Sequence, residues 1–413
     1  QLFGYEQVAK RIANIRLTNR RFDMREETKK QLQMVMDQAV KDQKIAGMNL
    51  MVIKKGQEEV YLQTGYANIK EKKEISRDTI FRLFSMTKPV TAAAVMILFQ
   101  RGLLDLTDPV EKFIPGFQNQ MVSVQDRLEP VWHPMSIWNL LSMTSGLTYG
   151  GESTVTEYAT GKVFEEIEKR LYSDTPVSTL EFADMIGRCP LEFQPGTNWK
   201  YGVSADILAA VVEKVSGVSY GEFLKKELFE PLEMTDTAFY VPEEKQNRLA
   251  MAYQSTENGI MEYKEDTLGI RLSMDVAPAY EAGGAGLVST IDDYSKFTSM
   301  LLNKGNFRGK QILFPKTVEF MTTHKLTPQQ QIGMDNWVEM KGFSYGNLMR
   351  VMTEPWKAGF ATVPGEYGWD GWLGCYFANI PDTEMTILMM MQKKDAGTFE
   401  LTRRLRNVIL LAR

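Results

Sequence analysis

Ser85-Met86-Thr87-Lys88 sets a hydroxyl and an amine three positions apart, directly after Phe81-Arg82-Leu83-Phe84 and just before an apolar helical pattern that begins at Pro89. Positions three apart share a helix face, so Ser85 Oγ and Lys88 Nζ can meet. The free N–H groups of a first helical turn point toward any oxyanion that forms on a carbonyl attacked there. This is the chemistry of a nucleophile and its base. Lysine acts as a base only when neutral, and holding it neutral at pH 7 against a free pKa near 10.4 costs about 4.6 kcal/mol. Burial, a neighbouring cation or a phenol lowers that pKa, so a partner must come from elsewhere in the chain. Ser-x-x-Lys recurs by chance as letters; its position at the head of a helix is what distinguishes it here.

Tyr201-Gly202-Val203-Ser204 supplies a candidate partner. It follows Gln194-Pro195-Gly196-Thr197-Asn198-Trp199-Lys200 and precedes a helical pattern from Ala205 to Val215, so its phenol can be held rigidly in a cleft and relay a proton to a leaving group. A third segment, Tyr367-Gly368-Trp369-Asp370-Gly371-Trp372-Leu373-Gly374, stands at the head of a strand, where glycines permit close backbone approach and an edge strand can offer an N–H to an oxyanion. Trp199, Trp369, Trp372 and Tyr149 are expected to line an aromatic cleft with few polar anchors. Gly217-Val218-Ser219-Tyr220-Gly221 spells a nucleophile elbow, yet a helix precedes it where the elbow needs a strand, so Gly217 reads as a helix C-cap.

The elements that must position these groups follow from periodicity. A helix is predicted over residues 26–44, a strand hairpin over 47–67 with a Lys-Lys-Gly turn, and helices over 89–104, 136–141, 178–186, 205–215 and 221–228. Residues 116–129 and 150–160 read as long polar loops. Strands return at 373–380 and 385–392, joined by Pro-Asp-Thr-Glu, and a helix closes the chain over 399–412. Sheet segments at both ends with helices between them predict an α+β fold: a central antiparallel sheet flanked by helices, with a mostly helical second region. Residues 1–80 and 280–413 are assigned to the sheet domain and 81–279 to the helical one, with the active site at their interface.

Composition removes other classes. The chain has 413 residues, 44% hydrophobic and 24% charged, and a formal net charge of −4, so no global positive field attracts nucleic acid. The basic stretch Lys10 to Arg25 reads as a solvated helix face. Two cysteines, Cys189 and Cys375, cannot build a disulfide framework, and two histidines, His133 and His324, exclude a site needing three imidazoles. The longest apolar run, Val90 to Phe99, falls short of the roughly 20 residues a transmembrane helix needs. The start at Gln1 leaves the compartment open, with the cytoplasm favoured and secretion compatible with a signal peptide removed before it.

In order and context these segments resemble the serine β-lactamase and penicillin-binding superfamily, on the side of class C β-lactamases and family VIII carboxylesterases, from about Gly47 to Gln392. The resemblance is carried by Phe81 to Lys88 followed by Arg101-Gly102-Leu103-Leu104-Asp105-Leu106-Thr107-Asp108-Pro109-Val110, by Leu140-Leu141-Ser142-Met143-Thr144-Ser145-Gly146-Leu147, and by Gln194-Pro195-Gly196 leading to Tyr201. Pro231-Leu232-Glu233-Met234-Thr235-Asp236-Thr237, Gly283-Gly284-Ala285-Gly286-Leu287-Val288-Ser289-Thr290 and the Trp369 segment complete it.

The resemblance implies Ser85 as nucleophile, Lys88 as its base, Tyr201 as proton relay, and an oxyanion hole from the backbone N–H groups of Ser85 and Trp372. It implies no cofactor and no metal. Where class C β-lactamases carry Tyr-x-Asn this chain has Tyr201-Gly202-Val203, and where they carry Lys-Thr-Gly it has Trp369-Asp370-Gly371, which removes the cation that meets a β-lactam carboxylate. The expected activity is therefore hydrolysis of small-molecule carboxylic esters through an acyl-enzyme on Ser85, with little or no β-lactam turnover. The expected substrate contacts are Trp369, Asp370, Gly371, Trp199 and Tyr149, Asp370 meeting a cationic or hydroxyl group, or else capping nearby backbone. The rival readings are a D-amino-acid peptidase or penicillin-binding enzyme, an acyltransferase using the same intermediate, and a binding protein that has lost turnover. Neither nucleic acid nor a membrane span is expected, and the oligomeric state stays open.

Overall fold

The computed structural model describes residues 24–125 and 127–412, so the basic stretch, Arg25 excepted, lies outside the described residues. β1 (Gly47–Lys54) and β2 (Gln57–Asn68) form a hairpin around Lys55 and Gly56, whose φ angles of 50° and 73° give the doubly left-handed turn that matches strand twist. β3 (Lys73–Glu74), β4 (Phe343–Tyr345), β5 (Arg350–Met352), β6 (Tyr367–Asp370), β7 (Tyr376–Ile380) and β8 (Met385–Met391) complete an eight-stranded antiparallel sheet in the order β4-β5-β6-β7-β8-β1-β2-β3. β8 unites the two chain ends, with Met389 opposite Leu50 of β1 and Tyr376 of β7.

Helices cover both faces: α1 (Glu26–Lys41), α2 (Thr87–Gln100), α3 (Val155–Arg170), α4 (Thr179–Gly187), α5 (Ser204–Ser216), α6 (Ile291–Leu302), α7 (Pro328–Asp335) and α8 (Glu400–Leu411). Strand alternation sends Leu50, Val52, Ile387 and Met389 to one face, where Leu32 and Met36 of α1 and Leu405 and Ile409 of α8 meet them. Met51, Leu388 and Met390 point to the other face, into the larger core that α2, α5 and α6 share. Burial on both faces explains why Met-Thr-Ile-Leu-Met-Met-Met of β8 is almost uninterruptedly apolar. α2 is buried all round from Thr87 to Leu98, so it forms the axis of the helical region and gives the residues at its head a rigid mount.

Sheet at the ends and helices in the middle agree with the sequence reading, and the differences are local. The stretch read as a loop over 150–160 contains the first turn of α3, capped by Thr154, whose hydroxyl accepts from Glu157 N–H at 3.1 Å; its polar opening hides the Val163, Phe164 and Ile167 face that buries it. The other loop contains a short strand pair, Met121–Val124 with Arg127–Pro130. β6 is an interior strand, with β4 and β5 beyond it, where an edge strand was expected; β4 and β5 are three residues each and show no readable alternation. Gly217 is the left-handed C-cap of α5 and Ser219 caps the helix Tyr220–Leu224, so the elbow-like letters are two helix boundaries. Cys189 and Cys375 are buried free thiols that burial pushes up to about 11 and about 12. Among the described residues no helix is long and apolar enough to cross a membrane.

Candidate active site

Ser85 sits in a single tight turn, Phe84–Met86, that runs straight into α2. The residue before it, Phe84, is buried with φ at 45°, a left-handed conformation that a non-glycine side chain holds only under tertiary constraint. That constraint is visible. Phe81 and Arg82 pair with Ser289 and Val288, Leu83 N–H donates to Leu287 O at 2.9 Å, and Leu287 N–H donates to Thr87 Oγ1 at 3.1 Å. From the other side Gly371, at the end of β6, lies so close that a Cβ there would stand 2.1 Å from Leu83 O. Only glycine brings the β6 backbone, and with it Trp372, this near the turn that carries Ser85.

Ser85 Oγ accepts from Tyr201 O–H at 2.7 Å and from Lys88 Nζ at 3.1 Å, and Tyr201 O in turn accepts from Trp369 Nε1 at 3.2 Å. Lys88 Nζ also donates to Tyr149 OH at 2.9 Å and to Gly284 O at 2.8 Å. Three donors thus meet three acceptors, and all three acceptors are uncharged. Burial pushes Lys88 down to about 7, against an opposing pull from the more distant carboxylates of Asp206 and Asp370. Burial acts the other way on the phenols, holding Tyr201 and Tyr149 well above the ordinary tyrosine value, so both stay protonated. When Lys88 loses its proton, Gly284 O can only go on accepting, whereas the Ser85 hydroxyl can turn round and donate to the free lone pair.

The aromatic residues divide. Trp369 and Trp199 are 1% and 5% exposed and serve as walls, while Tyr149, Tyr201 and Trp372 are half-buried and present faces. Tyr149, expected among substrate contacts, has its hydroxyl on Lys88. Asp370, expected to meet a substrate cation or hydroxyl, is 7% exposed, and its carboxylate accepts from Arg350 Nη1 at 2.7 Å and from Thr398 Oγ1. Its charge is therefore committed inside the protein. The alternative capping role does not describe it either, since its partners are side chains. Gly371 N–H is likewise spent, on Cys375 O at 2.7 Å. His133 and His324 are exposed.

The family model described as Beta-lactamase matches residues 32–411. The chain belongs to the beta-lactamase family. Within the comparisons, Protein Rv1367c of Mycobacterium tuberculosis is 31% identical over 342 residues, covering 80% of this chain and 81% of that protein. Esterase EstB of Burkholderia gladioli is 28% identical over 357 residues, covering 83% and 85%. Among solved structures, EstCE1, described as a hydrolase with promiscuous acyltransferase activity, superposes with a TM-score of 0.78 at 22% identity, covering 93% of this chain and 98% of that one, which shows a shared fold.

Against this family background three residues stand out that the sequence did not suggest. Asp206, 3% exposed on α5, accepts from Gly284 N–H at 3.0 Å and Tyr280 O–H at 2.8 Å, and so anchors the glycine whose carbonyl accepts from Lys88. Arg350 is the partner of Asp370. Trp337 lies with its ring 5.3 Å from that of Tyr201. Asp206 alone carried a readable signal, an acid at position five after Tyr201 on a helix face otherwise apolar. Arg350 and Trp337 are brought in by β5 and by the turn after α7, far along the chain.

Proposed function

We propose that the protein is a serine hydrolase of carboxylic esters that works through an acyl-enzyme on Ser85. The observation that carries this reading is the placement of Ser85 Oγ between a buried amine without a carboxylate partner, 3.1 Å away, and a protonated phenol, 2.7 Å away. In acylation Lys88 takes the Ser85 proton as Oγ attacks the ester carbonyl. The backbone N–H groups of Ser85 and Trp372 receive the oxyanion, the second brought close by the Gly371 contact with Leu83. Tyr201 gives its proton to the departing alkoxide, and the proton on Lys88 restores the phenol. Water, or a second alcohol, then enters where the first alcohol left and reverses the steps.

The name of the EstB relative supports ester substrates. A buried Trp369, in place of a cation, supports weak or absent β-lactam turnover. Acyl transfer to an alcohol is the second reading, favoured by the aromatic rings of Tyr149, Trp199, Trp337 and Trp369 packed around that of Tyr201. On this reading the site lies between the sheet domain of the chain ends and the helical domain of residues 81–279.

The test is intact-mass analysis with a chromophore-release trace after mixing with p-nitrophenyl butyrate, beside Ser85→Ala. An acyl increment and a burst in the wild type alone support the proposal. Absence of both in both proteins refutes it and turns attention to D-amino-acid amides.

A further inference from the structure

Whatever alcohol leaves the ester as Ser85 is acylated departs past the Tyr201 hydroxyl, and whatever acceptor attacks the acyl-enzyme arrives there, because the two half-reactions are mirror images. Beside the motif residues Trp199 and Trp369, one further wall at that point comes from outside the motif segments. Trp337 packs 5.3 Å from Tyr201, 6.1 Å edge-on from Trp369 and 6.3 Å from Trp199, ring to ring, and is half-buried, so part of its surface is open.

The position of Trp337 is rigidly set. Its N–H donates to Met334 O and its carbonyl accepts from Met340 N–H, both at 2.9 Å, fixing it between the end of α7 and the turn Val338–Met340. α7 itself is clamped to the loop that carries Tyr201. Gln330 Nε2 donates to Gly196 O at 2.7 Å, and Gly333 approaches so closely that a Cβ would stand 2.1 Å from Asn198 Oδ1 and 2.7 Å from Trp199 O. The indole and the catalytic phenol are thus parts of one rigid block.

Resting on the ester chemistry proposed for Ser85, we infer that Trp337 is a specificity-determining residue for the alcohol half of the reaction. Its open face selects alcohols bearing a flat apolar group, both as leaving groups and as acceptors that compete with water for the acyl-enzyme. The balance is simple. In acylation the Ser85 Oγ–acyl bond forms, the acyl–alkoxide bond breaks, and the Ser85 proton ends on the alcohol; in deacylation the acceptor gives its proton back and the bonds are exchanged in reverse. No other reactant is required. An aromatic face in contact with an apolar group discriminates through buried area and ring geometry, by tenfold or so for one well-placed contact.

The experiment compares benzyl acetate with ethyl acetate, which share the acyl group, on the wild type, Trp337→Ala and Trp337→Phe. The ratio of kcat/KM values, benzyl over ethyl, is expected to fall about tenfold in Trp337→Ala and much less in Trp337→Phe. With p-nitrophenyl acetate as donor and benzyl alcohol as acceptor, the yield of benzyl acetate relative to acetate is expected to fall by a similar factor. A parallel loss on both esters, or an unchanged ratio, overturns the inference while leaving the ester chemistry standing. If the wild type takes up no acetyl mass on Ser85 from any of these esters, the ester reading itself fails and the inference with it.

Discussion

Lys88 and Arg406 are both buried cations, 0% and 1% exposed, and their surroundings put them in opposite states. Arg406 forms a two-pronged pair with Glu366, Nη1 to Oε1 at 2.6 Å and Nη2 to Oε2 at 2.8 Å, with the Tyr376 hydroxyl against the same guanidinium. Burial works against its charge, but the carboxylate overcomes it and holds Arg406 above the ordinary arginine value. Arg350 repeats the pattern with Asp370. Lys88 has three neutral oxygens and, among the described residues, no carboxylate within hydrogen-bond reach, so burial prevails and brings it to about 7. The difference teaches that burial by itself does not make a base. The site withholds the counter-ion from Lys88, while Glu366, just before β6, and Asp370, at its end, supply one to Arg406 and to Arg350.

The largest expected effect breaks the catalytic side of this comparison. Lys88→Met should lower the rate of Ser85 acylation by about a thousandfold or more while the circular dichroism spectrum stays native. Arg406→Met breaks the structural side and should destabilise the fold by about 3–5 kcal/mol in urea unfolding, because Glu366 is left buried without its partner. Replacing both by leucine should restore most of that loss, which a simple packing defect would not do.

How far all this was legible in the chain depends on sequence distance. Ser85 and Lys88 are one helical turn apart, and Tyr201 is marked by the Pro-Gly loop before it and the helix after it, so local pattern and family resemblance pointed to the three side chains that the fold brings together. The sheet was legible because β1, β2 and β8 are seven residues or longer and β1, β7 and β8 are mostly apolar. The ion pair of Asp370 was not legible because its partner, Arg350, lies 20 residues away across a strand pair that nothing in the letters announces. Trp337 sits in a polar turn and becomes part of the site only because Gly333 lets α7 cross the Tyr201 loop.

A subtler prediction concerns pH. The folded-state value of Lys88 lies below its unfolded value of 10.5, so between about 7 and 10.5 the unfolded chain binds the extra proton and stability rises with pH. The wild type should therefore gain on Lys88→Met by about 2 kcal/mol or more between pH 7 and pH 10, read from paired urea titrations. The smallest effect sharpens the contrast. The Asp370 carboxylate raises Lys88, so Asp370→Asn should move the acid limb of the acylation rate downward by a few tenths of a pH unit.

The most direct test is the pH dependence of the pre-steady-state burst with p-nitrophenyl butyrate in the wild type. A buried, unpaired Lys88 acting as base predicts a rate that rises through a single limb near pH 7 and then levels. A limb near pH 10, the ordinary value of a lysine, would contradict it.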